Sequence, residues 1–226
     1  MFKKSLVILL YTIVVAVISA VITTTYISNN FVLGSKAENI EPHQDLIQVS
    51  QSKVDEGPIK EANTIIEFFS YGCHYCALNE PHINDLSARM PQGTKIVYLH
   101  LNRSSSGLSR YSGIFATLSV MGIEKQYRDK AYDAVIKDKL DISDATTREL
   151  WLKKIGIDVD AYNKASESQE AKDLLKYMAD VSAYYDIKAT PSFIVNKKWV
   201  VLQDRKYPAF ADQLLSLLQH DKSLEK

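Results

Sequence analysis

The feature that most constrains this chain is a junction. Thr64–Ser70 (Thr-Ile-Ile-Glu-Phe-Phe-Ser) is a short apolar run of β-branched and aromatic residues, and Cys73-His74-Tyr75-Cys76 follows almost at once. The run reads as a buried strand, and Cys73 to about Arg89 reads as a helix. The cysteines therefore stand where a buried strand hands over to a helix. Two cysteines three apart at a helix start can close a disulfide across one turn without moving the backbone. The first lies beside unpaired N–H groups at the positive end of the helix dipole. Those groups stabilise a thiolate, and a stabilised thiolate makes the corresponding disulfide a ready oxidant. On this reading Cys73 is the attacking, exposed sulfur, and Cys76, one turn further in, is buried and resolves the mixed disulfide.

A Cys-x-x-Cys pair has other uses. A structural disulfide would close a very short loop and stabilise little. A metal site would need His74 or His82 and a fourth ligand; a copper(I) module built from Cys73, Cys76 and His74 is the alternative of a different class. The strand-to-helix position favours redox chemistry, as does the absence of any further cysteine among 226 residues. No cofactor and no metal are expected.

The N-terminus bears on the compartment. Lys3 and Lys4 precede an uncharged stretch that lasts until Lys36, and Leu6–Ile22 within it is almost wholly apolar. The length favours a retained membrane anchor over residues 6–27, with a cleaved signal peptide as the alternative, since Ile18 occupies a position that cleavage would want small. No cysteine follows the run, which excludes a lipid-modified anchor. Either way the remainder faces outward, on the periplasmic side of an inner membrane. The 27 basic and 27 acidic residues balance, so charge gives no case for nucleic acid as a partner.

Further along, residues 31–62 read as a tether with one edge strand, Leu46–Ser50. Thr94–Leu101 alternates as a strand, and Asn102–Ser109 is a loop. From Arg110 to about Tyr185 helical spacing takes over, with four or five helices; Asp144 and Asp158 are start signals and Gly156 a stop. Ser192–Asn196 and Trp199–Leu202 form a hairpin turning at Lys197 and Lys198, and a helix from Pro208 to about His220 closes the chain. Far from the cysteines, Pro191 stands at the first residue of a strand, where no ladder bond is lost.

The residues Glu67 to Cys76, with Thr190-Pro191 downstream and a helical block between, resemble the DsbA-type thiol:disulfide oxidoreductases. The resemblance covers about Thr64 to Leu218. It implies an α/β fold: a thioredoxin-like domain (63–109 and 186–226) with an inserted α-helical domain (110–185), preceded by the N-terminal transmembrane or signal segment (1–30) and the tether (31–62). It implies that Pro191 is cis and faces the disulfide, that the backbone of Thr190 pairs with an extended substrate peptide, and that Glu67 is a buried acid relaying the proton of Cys76. Pro81 matches a proline that shapes the active-site helix. His74 and Tyr75 fill the dipeptide that tunes the thiolate, where the best-known oxidases carry Pro-His. Thr190 is likewise common in isomerase-type relatives. The activity implied is oxidation of unfolded or newly exported thiol proteins, with a quinone-linked membrane partner as reoxidant; a reductase or isomerase is the alternative.

Overall fold

A computed structural model of the chain describes residues 45–103 and 106–225. They fall within the unit Asp45–Lys226. The proposed anchor at residues 6–27 thus lies outside the described residues. Among the described residues no helix is long and apolar enough to cross a membrane.

Five strands form one mixed sheet. They are β1 (Leu46–Gln48), β2 (Thr64–Phe69), β3 (Lys95–His100), β4 (Ser192–Val195) and β5 (Trp199–Leu202), in the spatial order β1-β5-β4-β2-β3. Only β2 and β3 run parallel, and the connection between them is α2 (His74–Ala88). Every residue of β2 is buried, as a strand paired on both sides and covered on both faces must be. Cores therefore form on each face of it. One gathers Ile65, Ile83, Leu86, Phe193, Phe210 and Leu214, under α2 and the last helix, α8 (Ala209–His220). The other takes Ile66 and Phe68 into contact with the helical block.

That block lies between β3 and β4. It begins with a 3-10 turn over Gly107–Tyr111, followed by α3 (Ser112–Val120) and α4 (Glu124–Tyr132). A π turn at Asp133–Lys137 leads to α5 (Ala145–Ile155), α6 (Val159–Ser166) and α7 (Gln169–Tyr184). The start signals act as read from the sequence. The Asp144 carboxylate accepts from the Thr147 N–H at 2.8 Å and that of Asp158 from the Ala161 N–H at 2.7 Å. Gly156 ends α5 at φ 82°, a conformation in which a Cβ would be strained.

Two local readings change. The segment expected to be only tether and edge strand also holds a helix, α1 (Gln51–Glu56). Ser50 ends the strand early because its hydroxyl caps that helix at Lys53, and Val54 and Ile59 are buried. The β4–β5 turn centres on Asn196 and Lys197, one residue earlier than read, with φ of 51° and 62°. Two consecutive positive-φ residues make the primed turn that matches strand twist, and Lys198 N–H closes it on Val195 O at 3.0 Å.

Candidate active site

Strand β2 ends at Phe69, and three residues carry the chain to Cys73. That turn is pinned by hydrogen bonds. Ser70 Oγ accepts from Gly72 N–H at 3.1 Å and donates to Leu108 O at 2.7 Å, while Cys73 N–H donates to Ser70 O at 2.9 Å. Tyr71 N–H donates to His100 Nε2 at 3.2 Å, and His100 Nδ1 lies 2.9 Å from Leu101 O. With Nε2 accepting, Nδ1 must carry the proton, so the ring is the neutral Nδ1–H tautomer. Burial supports that assignment by pushing the imidazole down to about 4, only partly offset by the Leu101 carbonyl.

Cys73 and Cys76 are disulfide-bonded, with Cα atoms 5.3 Å apart. Cys73 is the N-cap of α2, and its Sγ accepts the Cys76 N–H at 3.1 Å. The sulfur thus occupies the place that a serine or aspartate oxygen takes at other helix starts. Cys73 is 6% exposed and Cys76 1%; the expected exposed sulfur is in fact largely covered in the oxidised state. Part of the cover is Thr190, whose carbonyl oxygen lies 3.4 Å from Cys73 Sγ. The Thr190–Pro191 peptide is cis, and Thr190 Oγ1 is buried without a hydrogen-bond partner among the described residues. The structure thus brings Thr190 to Cys73 across 117 positions of sequence.

His74 and Tyr75 are exposed, their rings edge to face at 6.0 Å. His74 borders a cleft of about 410 Å³ between α2 and the helical block, floored by Ala77, Leu78, Tyr132 and Ile136. Helix α2 runs through Pro81. His82, one of the two histidines considered as a metal ligand, stacks on Tyr207 at 4.7 Å instead. Among the described residues no three His, Cys, Asp or Glu side chains converge to hold a metal ion.

Glu67 is 1% exposed, at mid-strand on β2, in register with Tyr98 on β3 and Phe193 on β4. Among the described residues its Oε2 has no hydrogen-bond partner. Burial raises the carboxyl to about 8; Glu80 and Glu124 add to the rise and Arg128 opposes it. Such a group is mostly protonated at neutral pH, yet close enough to titration to give up its proton.

A family model described as DSBA-like thioredoxin domain matches residues 100–215. The chain belongs to this DsbA-like family. The matched stretch does not include the cysteine pair, so motif and match are separate observations. The thiol:disulfide interchange protein DsbA of Azotobacter vinelandii is 29% identical over 175 residues, which cover 75% of this chain and 80% of that protein. DsbA of Escherichia coli K12 is 26% identical over 148 residues, 64% of this chain and 71% of the other. Crystal structures share the fold at lower identity. That of Pseudomonas aeruginosa DsbA has a TM-score of 0.65 at 19% identity, covering 78% of this chain and 92% of the other.

With a DsbA-like fold, DsbA relatives and a Cys73–Cys76 disulfide at the N-terminus of α2, the chain is a protein-disulfide oxidoreductase. The sequence alone did not single out Tyr71, Glu80, His100, Glu124 and Arg128, which hydrogen bonds tie to the active-site turn and to α2. The available signal was weak. A histidine closing the apolar alternation of β3 suggests a buried, neutral ring, but nothing local links it to a turn 29 positions away.

Proposed function

We propose that this DsbA-like protein introduces disulfides into newly exported polypeptides on the outer side of a membrane, with Cys73 as the attacked sulfur and Cys76 as the resolving one. The observation that carries the reading is the Cys76 N–H directed at Cys73 Sγ at 3.1 Å, at the start of a 15-residue helix. That hydrogen bond and the helix end favour sulfur when it is negative, which favours the reduced protein and makes the disulfide oxidising.

The exchange is balanced as follows. A client thiolate attacks Cys73 Sγ, the Cys73–Cys76 bond breaks, and Cys76 leaves as a thiolate. Glu67, carrying a proton at neutral pH, supplies the one that Cys76 needs. A second client thiolate then attacks the client sulfur of the mixed disulfide and expels Cys73 as a thiolate that α2 holds. The client loses two electrons and the enzyme gains them. A quinone-linked membrane partner takes them away again, and Glu67 as carboxylate recovers the Cys76 proton. The Thr190 backbone, beside Cys73 Sγ, is positioned to align an extended client chain; a DsbA of Proteus mirabilis is known with a non-covalently bound peptide. His74 and Tyr75 tune the thiolate from the exposed side. We assign residues 63–109 with 186–226 to the catalytic domain, 110–185 to the helical insertion, 31–62 to the connection, and residues 6–27 to an anchor or signal that delivers the protein to the periplasm.

Equilibration of residues 45–226 with glutathione tests the direction. A potential near that of DsbA itself, about −120 mV, supports a disulfide donor. One near about −270 mV, the thioredoxin range, overturns the oxidase reading in favour of a reductase.

A further inference from the structure

A charge cluster ties α4 to α2 and to the turn that precedes Cys73. Arg128 on α4 is 4% exposed and forms a two-pronged pair with Glu124, Nε to Oε1 at 2.9 Å and Nη2 to Oε2 at 2.6 Å. Its third prong, Nη1, reaches Glu80 Oε1 on α2 at 3.1 Å. The guanidinium carbon lies over Tyr98 of β3, 3.8 Å from the ring centre, and 5.1 Å from the ring centre of Phe69 at the end of β2. Glu124 also accepts the Tyr71 hydroxyl at 2.9 Å, from the turn that delivers Cys73. One guanidinium thus serves two carboxylates, while Glu67, in register with Tyr98 and more deeply buried than either, takes part in none of the ion pairs among the described residues.

We propose that Arg128 is a positioning residue for the proton step: the cation that the helical block places against the active-site helix, pairing Glu80 and Glu124 and leaving Glu67 as the carboxyl that carries the exchangeable proton. The inference rests on the exchange chemistry above and adds what sets its acid. Two buried carboxylates, Glu67 and Glu124, and the partly exposed Glu80 share one cation and cannot all be ionised cheaply. Burial raises the Glu80 carboxyl too, but the charge and hydrogen bond of Arg128 oppose that rise, whereas Glu67, outside these ion pairs, goes up to about 8; the proton falls to Glu67. Burial disfavours the Arg128 cation, but the hydrogen bonds and charge of Glu124 and the charge of Glu80 outweigh it and hold it above its ordinary value. The remaining groups facing Glu67 are phenols: Tyr98, Tyr132 and Tyr207, all raised by burial and neutral at physiological pH. Arg128 is therefore the cation that counters the negative field at Glu67. Its position on α4 makes the acid's strength depend on how the helical block seats against α2.

The test reads Glu67 directly, by carboxyl-carbon NMR of the oxidised protein labelled at glutamate, with E67Q identifying the resonance. R128M should move the Glu67 midpoint upward by about one pH unit or more, and R128K, which keeps the charge, should recover most of that shift. E80Q removes a negative charge at a partly exposed side chain and should move the midpoint downward; it serves as the second variant if R128M does not fold. Unmoved midpoints in folded R128M or in E80Q overturn the proposal. Because the titration needs no client, it stands apart from the exchange assay. A protein inert toward dithiol peptides whose Glu67 midpoint still responds to Arg128 loses the proposed function and keeps the electrostatic assignment.

Discussion

Replacing Glu67 by glutamine should stabilise the oxidised protein, and by an amount that depends on pH. Burial moves this carboxyl from 4.5 to about 8. Between those values the folded protein keeps a proton that the unfolded chain has released, so stability falls as pH rises through the window. At about 1.4 kcal/mol per pH unit, the penalty is roughly 1 kcal/mol at pH 5, about 3 at pH 7, and levels off at about 4 to 5 above pH 8. Glutamine keeps the shape and the polarity but cannot ionise. The difference in unfolding free energy between Glu67→Gln and the parent should therefore grow by about 3 kcal/mol from pH 5 to pH 8. Urea unfolding of both oxidised proteins across that range measures it, with the slope against urea confirming that the unfolded states are comparable. A difference that stays flat across the range would mean that Glu67 is not a proton-holding buried acid, and its place in the exchange would fall with it. The same substitution should slow exchange, because Cys76 loses its proton partner. A variant both more stable and less active separates function from packing.

Further outcomes are expected. Cys73→Ala should abolish exchange, whereas Cys76→Ala should accumulate mixed disulfides visible on non-reducing gels; identical behaviour would reverse or dissolve the two assignments. Reduction of Cys73–Cys76 should raise the melting temperature, since the capped thiolate stabilises the reduced fold, and a lower melting temperature on reduction would contradict a strong oxidant. His100→Leu leaves the buried Tyr71 N–H without its acceptor and should cost about 1 to 3 kcal/mol, read by denaturant unfolding. In the parent protein, nitrogen NMR should find the His100 ring neutral with its proton on Nδ1 from pH 8 to pH 5. Because its folded value near 4 lies below the ordinary 6.5, its contribution to stability is lost as pH falls through that interval. Asp144→Ala should destabilise the protein by removing the cap at Thr147, read by denaturant unfolding.

The parts of the molecule that were legible in the sequence are those whose causes are local. A buried strand running into Cys73-His74-Tyr75-Cys76, aspartates opening helices at Asp144 and Asp158, and Gly156 closing one are each set by a few neighbouring residues. The misplacements are local as well. Ser50 reads equally well as the last residue of a strand or the cap of a helix, and only the burial of Val54 and Ile59 decides for the helix. The floor of the site is of another kind. Glu124 and Arg128 stand four apart on a helix, the spacing of a common solvent-exposed ion pair worth a few tenths of a kcal/mol. Nothing in that spacing reveals that Tyr98 covers the guanidinium, that Glu80 comes from the cysteine-bearing helix, or that Tyr71 closes the cluster from the active-site turn. Once water is excluded, the same pair governs which neighbouring acid keeps a proton. Glu67 could be picked from the sequence by its place before Cys73, but the burial that raises its carboxyl and the cation 61 positions away that opposes the rise come only with the tertiary fold.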